Sequence, residues 1–309
     1  MTNILKFLNK PEYLLQPMAI LRRFSGRRDI AGGTEVVRLP WGLPIEVNTS
    51  EIIGRTISHH GLFEMSVVEA IFRLAGPGDI FLDIGANIGF MSSAAVAAGA
   101  KRIFSFEPHP ELFQHLERNI SLWSQVQPKI ADRICARREA ASDTEGTAKL
   151  RFPKNGFSRN NGLASLEIGE VYGDGYDEVE VSTTTLTRII EQCGEPIGVL
   201  KIDIEGHELT AFKAGKTLLQ EGRVRDIIYE DFQGLNSEVS QLLSSFGYSL
   251  FGLNKTLSGP VLLDDQADVT RFISRSYEGS YSFLATRDAG RARRCMSRRG
   301  YKCLKSRIS

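Results

Sequence analysis

The apolar positions change their period along the chain, and those changes mark out its elements. Leu62, Met65, Val68, Ile71 and Phe72 recur at helical spacing, which predicts a helix over 62–74 stopped by Gly76-Pro77-Gly78. Short apolar runs over 80–84, 102–106, 134–140, 148–152, 178–182, 199–204 and 226–230 predict strands, and 281–285 reads as the last one. Between them, 90–98, 110–123, 186–193, 207–219 and 238–246 carry helical periods. The runs at 199–204 and 226–230 lack strict alternation, the pattern of parallel strands covered on both faces. The alternation of strand and helix predicts an α/β fold with a doubly wound, mostly parallel sheet. Ahead of it, Glu35–Leu39 and Leu43–Val47 flank Pro40-Trp41-Gly42 and predict a hairpin.

Composition narrows the class. The 309 residues are 42% apolar and 24% charged, as in ordinary globular proteins. A net charge of +1 gives no overall field to mark a nucleic-acid binder. Cys135, Cys193, Cys295 and Cys303 have no metal-ligand spacing, so no metal site and a reducing, cytoplasmic setting are expected. The charge is uneven, however. From Arg287 onward there are nine basic residues and one acidic residue, read as a solvated, disordered tail. The first 24 residues are dense in Ile, Leu and Phe but broken by Pro11 and Pro17; they read as short helices on the core, not a signal peptide or membrane span. A weak membrane-surface contact through either end stays as an alternative.

In an open α/β sheet, ligands bind beyond the carboxyl ends of the strands. The first strand ends in Asp83-Ile84-Gly85-Ala86-Asn87-Ile88-Gly89, spaced GxxxG and not GxGxxG. Gly85 permits a sharp exit and Gly89 a close helix approach. A carboxylate two residues before the first glycine disfavours a diphosphate and suits a cationic ligand, such as the sulfonium and ammonium of S-adenosylmethionine. The second strand ends at Glu107, placed to accept two ribose hydroxyls. Ser142-Asp143 follows the third strand and offers an acceptor for an adenine amino group. The fourth strand reads Lys201-Ile202-Asp203-Ile204-Glu205-Gly206-His207, which by alternation sets Lys201, Asp203 and Glu205 on one face. Asp203, Glu205 and His207 are the candidates for the chemistry, His207 because an imidazole can take the proton from a hydroxyl as a methyl group is transferred. Glu230 ends the fifth strand on the same rim.

Together, LDIGANIGF, FEPHPELFQHLERNI, AASDTEG, LKIDIEGHELTAFKAG and IIYED resemble the FkbM-type methyltransferases, in order from about His60 to Phe232. The resemblance implies a Rossmann-like class I fold with a seven-stranded sheet, S-adenosylmethionine as cofactor, and O-methylation of a sugar, glycan or secondary metabolite. It puts Asp83, Gly85, Asn87 and Gly89 at the methionine end of the cofactor, Glu107 at the ribose, Ser142 and Asp143 at the adenine, and Asp203, Glu205 and His207 toward the acceptor. The expected organisation is a segment 1–58, a catalytic domain 59–286 and a tail 287–309. A non-catalytic cofactor-binding module and, less well matched, an NAD-dependent oxidoreductase are the competing functions. The acceptor is expected to be a small molecule or glycan, not a nucleic acid.

Overall fold

The computed structural model describes residues 33–153, 165–166, 175–264, 266–269, 282–306 and 308. The N-terminal segment 1–32 and the polar stretch 154–164 fall outside them. The described chain starts with a hairpin, β1 (Thr34–Arg38) and β2 (Pro44–Asn48), followed by α1 (Ile52–His60) and α2 (Met65–Leu74). The helix predicted over 62–74 begins later, because Glu64 is held in the left-handed region at φ 46° ahead of Met65. Next come β3 (Ile80–Ile84), α3 (Phe90–Ala98), β4 (Arg102–Phe106), α4 (Pro110–Val126) and β5 (Ile134–Arg137). Proline at the first position of α4 suits a helix start, and the His109 ring accepts a hydrogen bond from the Glu111 N–H.

The stretch read as one strand over 134–140 divides into β5 and β6 (Ala140–Ser142). β7 (Gly146–Pro153) and β8 (Tyr176–Thr185) join β6 in a separate three-stranded sheet, ordered β6-β8-β7. α5 (Leu186–Gln192) then leads into β9 (Ile197–Ile202). The helix predicted over 207–219 is two, α6 (Glu208–Ala214) and α7 (Lys216–Gln220), parted at Gly215, where a Cβ would fall 2.7 Å from the Leu186 side chain. β10 (Val224–Glu230), α8 (Glu238–Ser245), β11 (Ser249–Thr256), β12 (Gly259–Leu263), β13 (Ser282–Thr286) and α9 (Ala289–Met296) complete the order.

The main sheet runs β12-β11-β13-β10-β9-β3-β4-β5, eight strands where seven were expected, with β12 the added edge strand. The five strands from β10 to β5 are parallel, while β13, β11 and β12 pair antiparallel. Alternate strand residues feed two separate cores. Phe81, Ile103, Val199 and Ile228 face α2 and α3, whereas Leu82, Phe104, Leu200, Ile202 and Ile227 face α5 and α6. The chain goes from β3 outward to β4 and β5, then returns to lay β9 on the other side of β3, so the strand order reverses beside β3.

The basic tail is not a solvated appendage over its described part. α9 is capped by the Asp288 side chain, and Ala292, Met296, Tyr301 and Cys303 are buried. Glu69 on α2, fully buried, pairs with Arg73 and accepts the backbone N–H groups of Lys302 and Cys303; Arg73 donates to the carbonyls of Cys295 and Gly300. Composition misleads here because α9 is amphipathic: Arg293 and Arg294 are exposed, Arg293 pairing with Asp264, while Arg291 reaches inward to the buried Asp226 and Ala292 and Met296 face the core. Among the described residues no helix is long and apolar enough to cross a membrane.

Candidate active site

The reversal of strand order beside β3 opens a crevice, and a cavity of about 320 Å³ occupies it, at the lower end of the usual range for small-molecule sites. Its walls come from the turn after β3, the ends of β4, β9 and β10, and Leu150 and Leu166 beside the small sheet. Three described residues other than glycine have positive φ: Glu64, Asn87 and Glu205. All three line this cavity. A left-handed backbone is unfavourable for side chains with a Cβ, and its concentration at one place marks a site whose geometry the surrounding fold enforces.

The turn Gly85–Gly89 is tight for reasons the sequence contains. Gly85 has φ 75°, and a Cβ there would run into the Asp203 carbonyl oxygen. Gly89 has φ 88°, and its Cβ would lie 2.6 Å from Leu116 on α4. The turn is braced from outside by Asn119 of α4, which donates to the Ile88 carbonyl and accepts from the backbone N–H of Glu46 in the hairpin.

Asp83 and Lys201 are direct cross-strand partners on β3 and β9. Asp83 is fully buried, accepts from Ser92 at 2.6 Å and lies 3.7 Å from the Lys201 ammonium. It stands behind the cavity wall and not in it; Lys201 lines the cavity in its stead, donating to the Gly85 carbonyl at 2.9 Å and lying 3.5 Å from Asp203. Burial works against the Lys201 charge, but Asp203 and Asp83 outweigh it and hold the ammonium above its ordinary range. Burial pushes Asp83 up despite Lys201. We take Lys201 as charged, because it has two carboxylates and a carbonyl within reach.

Glu107 closes the other wall. One carboxylate oxygen accepts the Asn87 N–H at 2.8 Å and the other the His109 N–H at 2.9 Å. Burial pushes its carboxyl up to about 7 against these two bonds. A carboxylate offers about four acceptor sites, so two remain after the backbone bonds.

The fourth strand ends at Ile202, so the alternation that places Lys201 does not extend to Glu205. A tight turn does the placing instead, with Glu205 at φ 53° and Gly206 at φ 96°. Glu208, in the first turn of α6, clips it by accepting the N–H groups of Ile204 and Gly206. Ser165 donates to the Glu205 carbonyl at 2.7 Å. Asp203, Glu205, His207 and Glu230 all line the cavity as a result. Burial and the neighbouring Asp203, Glu230 and Glu208 push the Glu205 carboxyl up, and burial and Asp203 push Glu230 up.

Of the residues marked in the sequence, Gly85, Asn87, Glu107, Asp203, Glu205 and His207 therefore meet at one cavity. Asp83, Gly89, Ser142 and Asp143 do not line it. Ser142 is buried and its hydroxyl lies 3.1 Å from His207 Nε2, while Asp143 is exposed. The polar side chain that reaches the cavity after the third parallel strand is Glu139. A strand running to 140 would hide it; a strand stopping at Arg137 puts Glu139 at its mouth. Glu208 was missed because a carboxylate in a first helical turn looks like a surface charge. Asn155, Arg159, Asn160 and Asn161, which could suit sugar recognition, lie outside the described residues.

Residues 83–250 match the Methyltransferase FkbM domain. The hexuronic acid methyltransferase AglP of Haloferax volcanii is 28% identical over 244 residues, 74% of this chain and 90% of that protein. The 31-O-demethyl-FK506 methyltransferase FkbM of Streptomyces tacrolimicus is 30% identical over 202 residues, 56% of this chain and 74% of that protein. The crystal structure of methyltransferase FkbM from Methylobacillus flagellatus aligns with a TM-score of 0.42 at 15% identity, over 70% of this chain; the chain spans about half the length of that one, 47%.

Proposed function

We propose that this chain, which belongs to the FkbM methyltransferase family, transfers a methyl group from S-adenosylmethionine to a hydroxyl oxygen on a sugar, a glycan or a secondary metabolite. The observation that carries this is the meeting of two sets of groups in one cavity: Glu107 beside the Gly85–Asn87 turn, and Asp203, Glu205 and His207 across from it. The relatives' names, one a hexuronic acid methyltransferase and one a 31-O-demethyl-FK506 methyltransferase, support an oxygen acceptor. A cytoplasmic setting goes with four free cysteines.

The cavity fits the cofactor. The acceptor sites left on Glu107 suit two ribose hydroxyls, and Glu139 takes the part expected of Asp143 at the adenine amino group. Asp203 and Glu230 gather negative charge where a sulfonium and an ammonium need it, and Lys201 keeps that pair from repelling itself apart. When bound, the cofactor would supply an electrophilic methyl group on a sulfonium. The chain's own part is alignment. The clipped 203–207 turn holds the acceptor hydroxyl, and the raised Glu205 keeps a proton at neutral pH, so that it donates to one acceptor oxygen while Asp203 accepts from another. His207 takes the hydroxyl proton. Much of the cavity wall is apolar, including Ile53, Phe63, Phe90 and Leu112, which excludes water from the transfer.

Calorimetric titration with S-adenosylhomocysteine and with NAD tests the cofactor, with binding expected for the first alone. Mass spectrometry of host glycans and metabolites, with and without the protein, then looks for products heavier by one methylene. Preferential NAD binding would overturn the assignment.

A further inference from the structure

The tail carries more positive charge to the surface than the fold consumes. From residue 289 to 309 there are eight basic residues and no acidic one. Carboxylates take up two of them, Asp226 holding Arg291 and Asp264 holding Arg293. Arg294, Arg298, Arg299, Lys302 and Lys305 are exposed, and among the described residues no carboxylate pairs with any of the five. Glu69, on which the tail is seated, does not offset them, because it is buried against Arg73 and the backbone of Lys302 and Cys303. The packing of Tyr301 and Cys303 fixes the chain between these cations, so their charge is held as a surface and not on a loose end. A solvated face usually mixes both signs. This one has a single sign.

The same segment is fastened to the turn between β11 and β12. The Gly300 N–H donates to the Ser258 carbonyl at 2.7 Å, the Tyr301 hydroxyl donates to the Thr256 carbonyl, and a Cβ on Gly259 would lie 3.3 Å from the Arg298 carbonyl oxygen. Lys305 folds back over Gly300, where a Cβ would lie 3.4 Å from its ammonium. Leu257, at the tip of that turn, is 51% exposed. A leucine among arginines gains nothing from water, but at a lipid surface it enters the headgroup region while the cations meet phosphates. A soluble polyanion would engage the cations and leave Leu257 wet.

We propose that Leu257, Arg298, Arg299 and Lys305 form a docking face for an anionic lipid membrane, with Arg294 and Lys302 adding to its field. The docking does not depend on what the cavity methylates. Each basic residue near an anionic bilayer contributes about fivefold in affinity, and the attraction is screened by salt.

The test is sedimentation of the full-length protein with vesicles of phosphatidylcholine alone and of an equal mixture of phosphatidylcholine and phosphatidylglycerol. Binding is expected to the mixed vesicles only, and it should weaken as salt is raised. Arg298→Gln combined with Arg299→Gln should lower vesicle affinity by about 25-fold. Leu257→Ser should lower it by about tenfold, yet leave binding to heparin, a soluble polyanion, unchanged. All three positions are exposed, so the variants should melt with the wild type, and the lipid and salt series on the wild type needs no variant at all. Equal binding to both kinds of vesicle, or none to either, overturns the proposal. So does vesicle binding that survives both sets of substitutions, which would place the contact elsewhere in the chain. A Leu257→Ser protein that binds mixed vesicles as well as the wild type while the arginine variant does not would assign the face to a soluble polyanion and overturn the lipid assignment.

Discussion

Replacing Glu107 by alanine removes the side chain that defines the ribose end of the cavity. Each of its oxygens already accepts one backbone N–H, from Asn87 and His109, and the two remaining acceptor sites are those assigned to the ribose hydroxyls. Hydrogen bonds to a charged group contribute about 1.5–3 kcal/mol each, so losing both ribose bonds weakens cofactor binding by about 3–6 kcal/mol, on the order of 10²- to 10⁴-fold. The fold should survive, because the two N–H groups stand at a cavity wall where water can replace the carboxylate. Glu107→Gln is the finer test. Its amide oxygen can serve one backbone N–H, but its NH₂ faces the other donor, so an intermediate loss is expected. Acidity adds a third arm. Burial holds Glu107 near 7, and the protonated carboxyl has fewer acceptor sites, so wild-type affinity should fall as pH drops below 7 and level off above it. Calorimetry with S-adenosylhomocysteine on either side of that pH, with a thermal melt of each variant, reads all three. An unchanged dissociation constant in a folded Glu107→Ala protein refutes the ribose assignment.

Deleting residues 289–309 should lower the melting temperature by more than about 10 °C or abolish folding. Met296 and Tyr301 each lose burial of about 1.5–3 kcal/mol, Glu69 and Arg73 lose their partners in the tail, and about 2–4 °C is lost per kcal/mol at this size; a melt within a few degrees of wild type would show that the tail does not dock. Lys201→Met should destabilise the protein by about 3–5 kcal/mol, because it leaves Asp83 buried without its cation, and Asp83→Asn in the same chain should recover part of the loss; chemical denaturation measures both. Gly85→Ala should abolish cofactor binding, since it forces an alanine into φ 75° against the Asp203 carbonyl; retained binding in calorimetry would show that the turn can yield. The ligand-free protein should lose stability as pH rises. Burial lifts Glu107 and Glu208 from an ordinary 4.5 to about 7, so the folded state binds more protons than the unfolded one in that window, and stability present below 4.5 is lost as pH passes 7; Glu208→Gln should flatten part of the trend in melts across that range.

The parallel sheet and most of what borders the crevice are legible in the residues alone. Buried parallel strands must be apolar from end to end, and the turns between them need glycine where no Cβ fits, so Ile80–Ile84, Val199–Ile202 and the pair Gly85 and Gly89 are legible without coordinates. Strand ends expose their last residues, which is why Glu107, Asp203 and Glu230 could be picked out. Where a side chain goes once regular periodicity stops depends instead on contacts between distant segments. Glu205 reaches the cavity through a left-handed turn and not by strand alternation. Asp83 withdraws behind Lys201 because the two pair across adjacent strands, a relation between residues 118 positions apart that no local pattern records. Ser142 turns to His207 because β6 leaves the main sheet for the small one. The tail shows the same limit from the other side. Its charge count describes a solvated segment, but a single helical face with Ala292 and Met296, seated on a buried carboxylate of α2, is enough to fix it, and composition does not register which face a charge occupies.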